Sequence, residues 1–201
     1  SGNFFRIVQI EVTFGRGEGQ VRFEEAEVRP MGRNAHGVRG IRLGEGQSLI
    51  ALIPVDPKRQ VLVATANGYG KISSAYEYRK TARGGQGITN IGAPESNPER
   101  NGPVVASFPV KHGSQLMLVT DQAKLIRLGI DFRHLIEGGF ESLKGFSISG
   151  RGSSGIRIFD VAKDEHIVGA ALIDETTDPE NEAEEAIAAE LEGDAGEQPV
   201  T

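Results

Sequence analysis

The chain has 201 residues, of which 25% are charged, and its formal net charge at pH 7 is −6. It contains no cysteine, which excludes a disulfide framework and a thiolate metal site. It has no apolar run of the roughly 18 residues that a membrane-spanning helix needs, and no basic start followed by an apolar segment as in a secretory signal. These features predict a cytoplasmic protein.

The negative net charge comes from one end of the chain. Of the 28 acidic residues, 11 lie in residues 174–201, which contain no Lys or Arg. Residues 1–173 therefore carry 17 acids against all 22 bases, a net charge of +5. A basic body with an acidic tail indicates a surface for nucleic acid or another polyanion, with the tail as its competitor. The alternative is that the tail only keeps the protein soluble.

Three β-hairpins are predicted along the body. The paired segments are residues 7–13 with 20–23, 60–65 with 70–73, and 115–120 with 124–128. The middle hairpin turns at Asn67 and Gly68, a step that favours a tight turn because both residues tolerate positive φ. The apolar run 61–64 does not alternate with polar residues, so we expect its strand to be covered on both faces.

Each hairpin is followed by a second pair of strands, predicted at 38–43 with 48–55, 88–91 with 104–110, and 156–161 with 166–173. Four short strands per unit, repeated about every fifty residues, are typical of propeller-like folds. We therefore predict an all-β array of four-stranded blades, a β-pinwheel, at about 1–55, 56–110 and 111–173. An acidic tail, 174–201, is predicted to be disordered or partly helical.

Two loops interrupt the repeat. Residues 92–102 contain Pro94, Asn97 and Pro98 and are predicted to form an exposed excursion. Residues 132–145 lie before the last strand pair and are predicted to form a short helix or a lid.

One motif recurs in front of each second strand pair. Arg33, Arg83 and Arg151 are each followed by small or polar residues, a glycine and a β-branched residue. Glycine permits positive φ and a close approach of backbones. Because repeated units place equivalent residues along a curved path, cations in these turns would match the regular phosphates of a duplex.

The Arg/Gly turns and the cations near them are therefore predicted to line one edge of the array as a DNA-binding rim. The candidate residues are Arg33, Arg39, Lys71, Lys80, Arg83, Lys124, Arg127, Arg151 and Arg157. The alternative for each is a solvated side chain beside a structural turn. Binding is expected to tolerate many sequences and to depend on how easily the DNA bends.

No catalytic, metal or cofactor site is predicted. Residues 150–155 have the glycine spacing of a dinucleotide site, but the β-branched residues that follow predict a strand where that site requires a helix. The four histidines, His36, His112, His134 and His166, lack the spacing of metal ligands. No serine lies in a nucleophile elbow.

Residues 27–43, 66–71 and 155–158, together with the acidic end, resemble the C-terminal DNA-wrapping domain of the bacterial DNA gyrase A protein. The corresponding C-terminal domain of topoisomerase IV is a near neighbour of that family. The resemblance covers residues 21–173. The signature box of the family, Gln-Arg-Arg-Gly-Gly-Lys-Gly, is incomplete here, because Thr81 and Ala82 precede Arg83 and Gln86 replaces the lysine. This departure implies that the chain corresponds to the later blades.

The resemblance implies a β-pinwheel whose basic perimeter bends and wraps double-stranded DNA, in support of supercoiling by an ATP-dependent type II DNA topoisomerase. It implies partners in the remainder of the gyrase A protein, which holds the catalytic tyrosine, and in the gyrase B protein, which holds the ATPase. It also implies a tail that modulates wrapping. The isolated chain is expected to be monomeric. The alternative function is a bladed protein-interaction module that does not bind DNA.

Overall fold

The structure is a computed structural model and describes residues 7–13, 19–130, 135–136, 139–140 and 146–173. The described residues are almost entirely β-strands and turns, with two short 3-10 helices at Glu25–Glu27 and Ala75–Glu77. The strands are β1 (Ile7–Thr13), β2 (Gly19–Glu24), β3 (Ser48–Val55), β4 (Gln60–Thr65), β5 (Tyr69–Ser74), β6 (Val104–Val110), β7 (Gln115–Thr120), β8 (Leu125–Gly129), β9 (Leu135–Ile136), β10 (Gly139–Phe140), β11 (Ile156–Arg157) and β12 (Ile167–Ile173). The three predicted hairpins are confirmed as β1–β2, β4–β5 and β7–β8.

Three antiparallel sheets share one plan. The central strand, β1, β4 or β7, comes first in the chain and is flanked by its hairpin partner and by a strand that returns later, β3, β6 or β12. Each ladder between a central and a returning strand has a register shift at the same place. The shift lies between Glu11 and Val12 of β1 and between Ala64 and Thr65 of β4. In the third sheet it lies between Ile167 and Gly169 of β12, which pair with Thr120 and Val119 of β7. The shared irregularity shows that the three sheets are copies of one unit, so the all-β bladed fold is confirmed.

The core lies between neighbouring sheets. Leu62 and Ala64 of β4 pack with Leu116 and Leu118 of β7, while Val61 and Val63 of β4 face the other way and pack with Ile53 of β3. These four side chains of β4 are all buried. The prediction that residues 61–64 are covered on both faces is confirmed, and the sheets therefore stack face to face as blades.

The predicted pairing within the second strand pairs is wrong. β11 does not pair with β12 but with β5 of the preceding unit, where Ile156 lies opposite Gly70. Ile88 likewise bridges to Gln20 of β2, and residues 38–43 form no strand. The second and third Arg/Gly turns therefore each complete the sheet of the unit before it.

Glycine makes this strand exchange possible. A β-carbon at Gly155 would lie 2.7 Å from the carbonyl oxygen of Gly70, and one at Gly87 would lie 2.7 Å from the nitrogen of Gln20. Both glycines have positive φ, 72° and 84°. An L-residue with a side chain would thus be both strained and in collision with the edge strand.

The two interrupting loops differ in character. Residues 92–102 are largely exposed, as predicted, except that Asn101 is buried at their end. In the 132–145 insertion, the described residues form a two-stranded ladder of β9 and β10, so a helix there is not observed. The acidic tail, 174–201, lies outside the described residues. Among the residues that are described, no helix has the length and apolar character to cross a membrane.

Candidate nucleic-acid interface

The first and third Arg/Gly turns share a backbone hydrogen bond, and all three turns share a glycine with positive φ. The amide of Ala35 donates to the carbonyl of Gly32 and the amide of Ser153 donates to the carbonyl of Gly150, each at 3.1 Å. Gly37, which aligns with Gly87 and Gly155, has a φ of 77° and so falls in the same left-handed region. The first and third turns therefore repeat one backbone geometry, whereas the second turn shares the left-handed glycine and has a further glycine with positive φ, Gly84, at 79°.

The turns are hydrogen-bonded to one another in series. The amide of Gly84 donates to the carbonyl of Gly40 at 2.6 Å, and the amide of Arg42 donates to the carbonyl of Gly85 at 2.7 Å. A further link joins the second and third turns, from the amide of Gly92 to the carbonyl of Ser153 at 3.1 Å. We refer to residues 28–43, 78–92 and 146–160 together as the Arg/Gly ribbon.

The ribbon is strongly basic. It contains nine Lys or Arg residues and a single acid, Asp160, so most of its cations have no carboxylate in the ribbon with which to pair. Its cations are Arg29, Arg33, Arg39, Arg42, Arg79, Lys80, Arg83, Arg151 and Arg157.

Arg83 and Arg151 hold the ribbon together through an identical contact. Nη1 of Arg83 donates to the carbonyl of Arg39 at 3.3 Å, and Nη1 of Arg151 donates to the carbonyl of Thr89 at 2.5 Å. Arg39 and Thr89 occupy the same position in successive turns, two residues after the positive-φ glycine. A carbonyl is neutral, so it does not offset the positive charge of either guanidinium. Each guanidinium also keeps further N–H groups for a ligand.

Arg33 and Arg39 are exposed, and among the described residues their side chains make no hydrogen bond or ion pair. Arg42 shares this environment, although the sequence did not single it out. Its place immediately after the first turn, in a segment without acids, is the feature that could have identified it. These three side chains are therefore free to reach an anion from the first turn.

Lys71 does not belong to an exposed rim, which corrects the sequence-based prediction. It is only 2% exposed. Its Nζ donates to the carbonyls of Asn90, at 2.6 Å, of Gly150, at 3.3 Å, and of Arg151. The ammonium therefore joins the second and third turns from beneath the ribbon, and it cannot reach a phosphate directly.

Three other predicted rim cations are paired with carboxylates. Lys80 contacts Glu24 at 2.5 Å, Lys124 contacts Glu165 at 2.6 Å, and Arg157 contacts Asp160 at 2.6 Å. A paired cation has a weaker field at a distance than an unpaired one, so these residues contribute less to attracting a polyanion. Arg127 donates from Nε to the side-chain oxygen of Gln115, which is neutral, and stays exposed.

The third turn carries an aromatic contact that the sequence did not reveal. The guanidinium of Arg100 stacks on the ring of Tyr69 at 4.3 Å from its centroid and also donates to the carbonyl of Ser154. Nη2 of Arg157 donates to the hydroxyl of Tyr69 at 2.9 Å. This hydrogen bond is the main cause of a raised pKa of Arg157, so the side chain stays charged. The excursion 92–102 thus braces the turn from which Arg157 extends.

Glu165 is a buried carboxylate that makes the stability of the third sheet depend on pH. A hydrogen bond from Lys124, followed by one from Thr120, lowers its pKa from 4.5 to about 2. Because the folded state has the lower pKa, the stabilisation is fully present above pH 4.5 and is lost as the pH falls towards 2.

We expect Glu165→Gln to unfold more readily than the wild type at neutral pH and to approach it as the pH falls towards 2. Urea unfolding of both proteins at several pH values measures this difference. A difference between the two proteins that stays constant over that range would contradict the assignment. Glu77→Gln, at an exposed carboxylate, is a matched control for which little change is expected.

Comparisons with known proteins agree with the bladed all-β fold. The family model of the DNA gyrase C-terminal domain, described as a β-propeller, matches residues 21–56, 59–110 and 142–174, which is more than half of the chain. The DNA gyrase A protein of Pseudomonas aeruginosa is 37% identical over 179 residues, which are 88% of this chain and 18% of that protein. The DNA gyrase A protein of Escherichia coli is 37% identical over 172 residues, which are 85% of this chain and 18% of that protein.

Two solved structures have the same fold. The C-terminal domain of DNA topoisomerase IV superposes with a TM-score of 0.68 at 19% identity and covers 92% of this chain and 52% of its own. The DNA gyrase A C-terminal domain superposes with a TM-score of 0.64 at 21% identity and covers 85% of this chain and 52% of its own. At these identities the likeness establishes the fold alone.

Proposed function

Because the chain belongs to the DNA gyrase C-terminal domain family, we propose that its Arg/Gly ribbon binds and bends double-stranded DNA. The observation that supports this most strongly is the continuity of the ribbon. Three turns from successive units are hydrogen-bonded in series, and arginines in each of them face neutral carbonyls or solvent rather than carboxylates. A row of cations that are not paired with carboxylates, carried by turns that are hydrogen-bonded to one another, is suited to the phosphates of a duplex.

Bending of the DNA would follow from the positions of the cations, which lie in turns of successive sheets. The turns follow successive sheets, and the sheets are stacked face to face, so a duplex in contact with all three turns must follow the edge of the stack. Contacts of this kind reach phosphates and not bases, so sequence preference would arise from the deformability of the DNA.

The chain spans 18% of the length of the gyrase A proteins that it matches, so its wider role is also part of the proposal. We infer that it works within a bacterial, cytoplasmic gyrase, with the remainder of the gyrase A protein and the gyrase B protein as partners. Cleavage and ATP hydrolysis would take place in those other parts, and this chain would present bent DNA to them.

Salt titration tests duplex binding. With Arg33, Arg39, Arg42, Arg83 and Arg151 each neutralising one phosphate, the logarithm of the binding constant should fall with the logarithm of salt concentration with a slope of about −4.5. Fluorescence anisotropy with two duplexes of unrelated sequence measures this slope, which should be the same for both. Salt-independent binding, or no binding at low salt, would contradict the proposal and favour the protein-interaction alternative.

A truncation of the tail can be included in the same titration. Residues 174–201 carry 11 acids and no bases. If they compete with DNA for the ribbon, a chain that ends at residue 173 should bind the duplex more tightly, with the largest gain at low salt. Equal affinity with and without the tail would leave it only a solubilising role.

A further inference from the structure

The excursion 92–102 is fastened at its end to two neighbouring elements. The side-chain amide of Asn67, in the turn of the β4–β5 hairpin, donates to the carbonyl of Arg100 at 3.1 Å. The side-chain amide of Asn101 reaches across to the third Arg/Gly turn and donates to the carbonyl of Ser154 at 3.2 Å. The excursion is therefore fixed both to its own sheet and to the turn of the following unit.

The guanidinium of Arg100 lies between the excursion and the third turn. Its Nε donates to the side-chain oxygen of Asn101 at 2.9 Å, and its Nη2 donates to the carbonyl of Ser154. It also stacks on the ring of Tyr69, 4.3 Å from the ring centroid. All three partners are uncharged, so none of them offsets the positive charge. Further N–H groups of the guanidinium remain for a ligand.

Arg157 brings a second guanidinium to the same ring. Its guanidinium carbon lies 5.4 Å from the ring centroid of Tyr69, and its Nη2 donates to the hydroxyl at 2.9 Å. Asp160 offsets the charge of Arg157, whereas no carboxylate in the described part of the chain pairs with Arg100. Of the two arginines on this ring, Arg100 is therefore the one that attracts an anion more strongly.

The acids of the excursion leave the charge of Arg100 available. Glu95 and Glu99 are both exposed, and neither forms an ion pair with Arg100. Arg100 itself is half-buried, and its stacking on Tyr69 fixes the plane of the guanidinium. A side chain that is already held in one orientation loses less conformational entropy when it binds a ligand.

The excursion is a feature of the second unit alone among the three. The corresponding connections are residues 44–47 in the first unit and 162–165 in the third. Each is a four-residue turn closed by a hydrogen bond from the amide of its last residue to the carbonyl of its first, at 3.2 and 3.1 Å. Neither turn contains an arginine. The longer connection of the second unit thus adds a cation beside the third Arg/Gly turn.

We propose that Arg100 binds a phosphate of the duplex beside the third turn, with the ring of Tyr69 holding the guanidinium in place. This contact rests on the DNA binding proposed above for the Arg/Gly ribbon, and it extends the DNA-binding surface to the excursion. A phosphate is the expected ligand because a guanidinium presents parallel N–H donors to two of its oxygens. The bond to Ser154 keeps Arg100 in register with the third turn.

Salt titration of matched variants tests the contact. Arg100→Gln removes the cation, so the salt slope of duplex binding should become shallower by about 0.9, the contribution of one phosphate in addition to the five counted above. Arg100→Lys should keep the wild-type slope, because it keeps a cation although it loses the planar stack on Tyr69. Arg59→Gln is the control, since Arg59 is also half-buried but lies in the loop between β3 and β4, and its slope should not change. Urea unfolding shows whether each variant is folded.

Equal slopes for the wild type and Arg100→Gln would overturn the proposal. A slope for Arg100→Lys as shallow as that for Arg100→Gln would also overturn it, because Arg100 would then only brace the third turn. A wild type without salt-dependent duplex binding would instead overturn the function proposed above, and this contact with it.

A second measurement leaves Arg100 in place. The chain has no cysteine, so a DNA-cleavage reagent can be attached at Ser96→Cys, in the excursion, or at Ser153→Cys, in the third turn. Cuts from position 96 should fall next to those from position 153 on a bound duplex. Cuts from position 153 with none from position 96 would contradict a phosphate contact at Arg100.

Discussion

Reversing Arg33, Arg39 and Arg42 together to glutamate is expected to remove most of the duplex affinity at moderate salt. Arg33 and Arg39 are exposed on the first turn, and Arg42 is exposed immediately after it. None of the three makes an ion pair within the described chain, so the substitution removes three cations and adds three repelling charges at one end of the ribbon. Three lost phosphate contacts should also make the salt slope shallower by about 2.7. Arg83 and Arg151 are left intact because they hold the turns together.

The matched control is Lys58→Glu with Arg59→Glu and Lys111→Glu. It changes the net charge of the chain by the same amount, but its residues lie in the loops between β3 and β4 and between β6 and β7, outside the ribbon. Anisotropy titrations of both triple variants on two unrelated duplexes measure the difference. Equal losses in the two variants would mean that overall charge, and not the ribbon, determines binding.

Lys71→Met is expected to lower the free energy of unfolding by about 2–4 kcal/mol. Methionine fills a similar volume but cannot donate to the three carbonyls of Asn90, Gly150 and Arg151 that the buried ammonium joins. The second and third turns should then separate, so duplex affinity should fall although Lys71 itself reaches no phosphate.

Lys80→Met is the control for this substitution. Lys80 is exposed and contacts Glu24, so its loss should cost less than about 1 kcal/mol. Urea unfolding of both variants, followed by duplex titration of the folded proteins, measures both effects. Similar stabilities for the two variants would contradict the central role assigned to Lys71.

The local elements of the fold could be predicted from the sequence because their causes are local. Asn67 and Gly68 set the middle hairpin, and Gly68 has the positive φ, 78°, that this turn requires. The unbroken apolar run 61–64 indicated a strand covered on both faces, and its side chains do alternate between two clusters. The strand character after Gly155 was also correct, since β11 begins at Ile156.

The exchange of strands between units could not be predicted. The residues after Gly87 and Gly155 favour a strand, but nothing in their pattern specifies which sheet they join. Ile88 and Ile156 meet partners, Gln20 and Gly70, that are 68 and 86 positions away in the sequence. The pairing predicted from the sequence therefore uses the nearest apolar strand in the same unit, and that prediction is wrong.

The candidate site was only partly predictable for a similar reason. Lysine is rarely buried, so the sequence predicts a surface position for Lys71. In the structure its ammonium donates to three carbonyls from two turns that are distant in the sequence. Whether the positive charge of a Lys or Arg is offset by a neighbouring carboxylate depends on the partner that the fold places beside it. Arg151 faces a carbonyl and Lys124 faces a carboxylate, although the two look equivalent in the sequence.

Tethered cleavage of bound DNA tests the ribbon most directly, and the chain is suited to it because it has no cysteine. A cleavage reagent attached to a single cysteine at position 35, 85 or 153, which are equivalent positions in the three turns, should cut a bound duplex. The cuts should shift along the DNA in the order of the turns, and a cysteine at position 58, in the loop between β3 and β4, should give none. Cleavage from position 58 with none from the three turns would contradict DNA binding by the Arg/Gly ribbon.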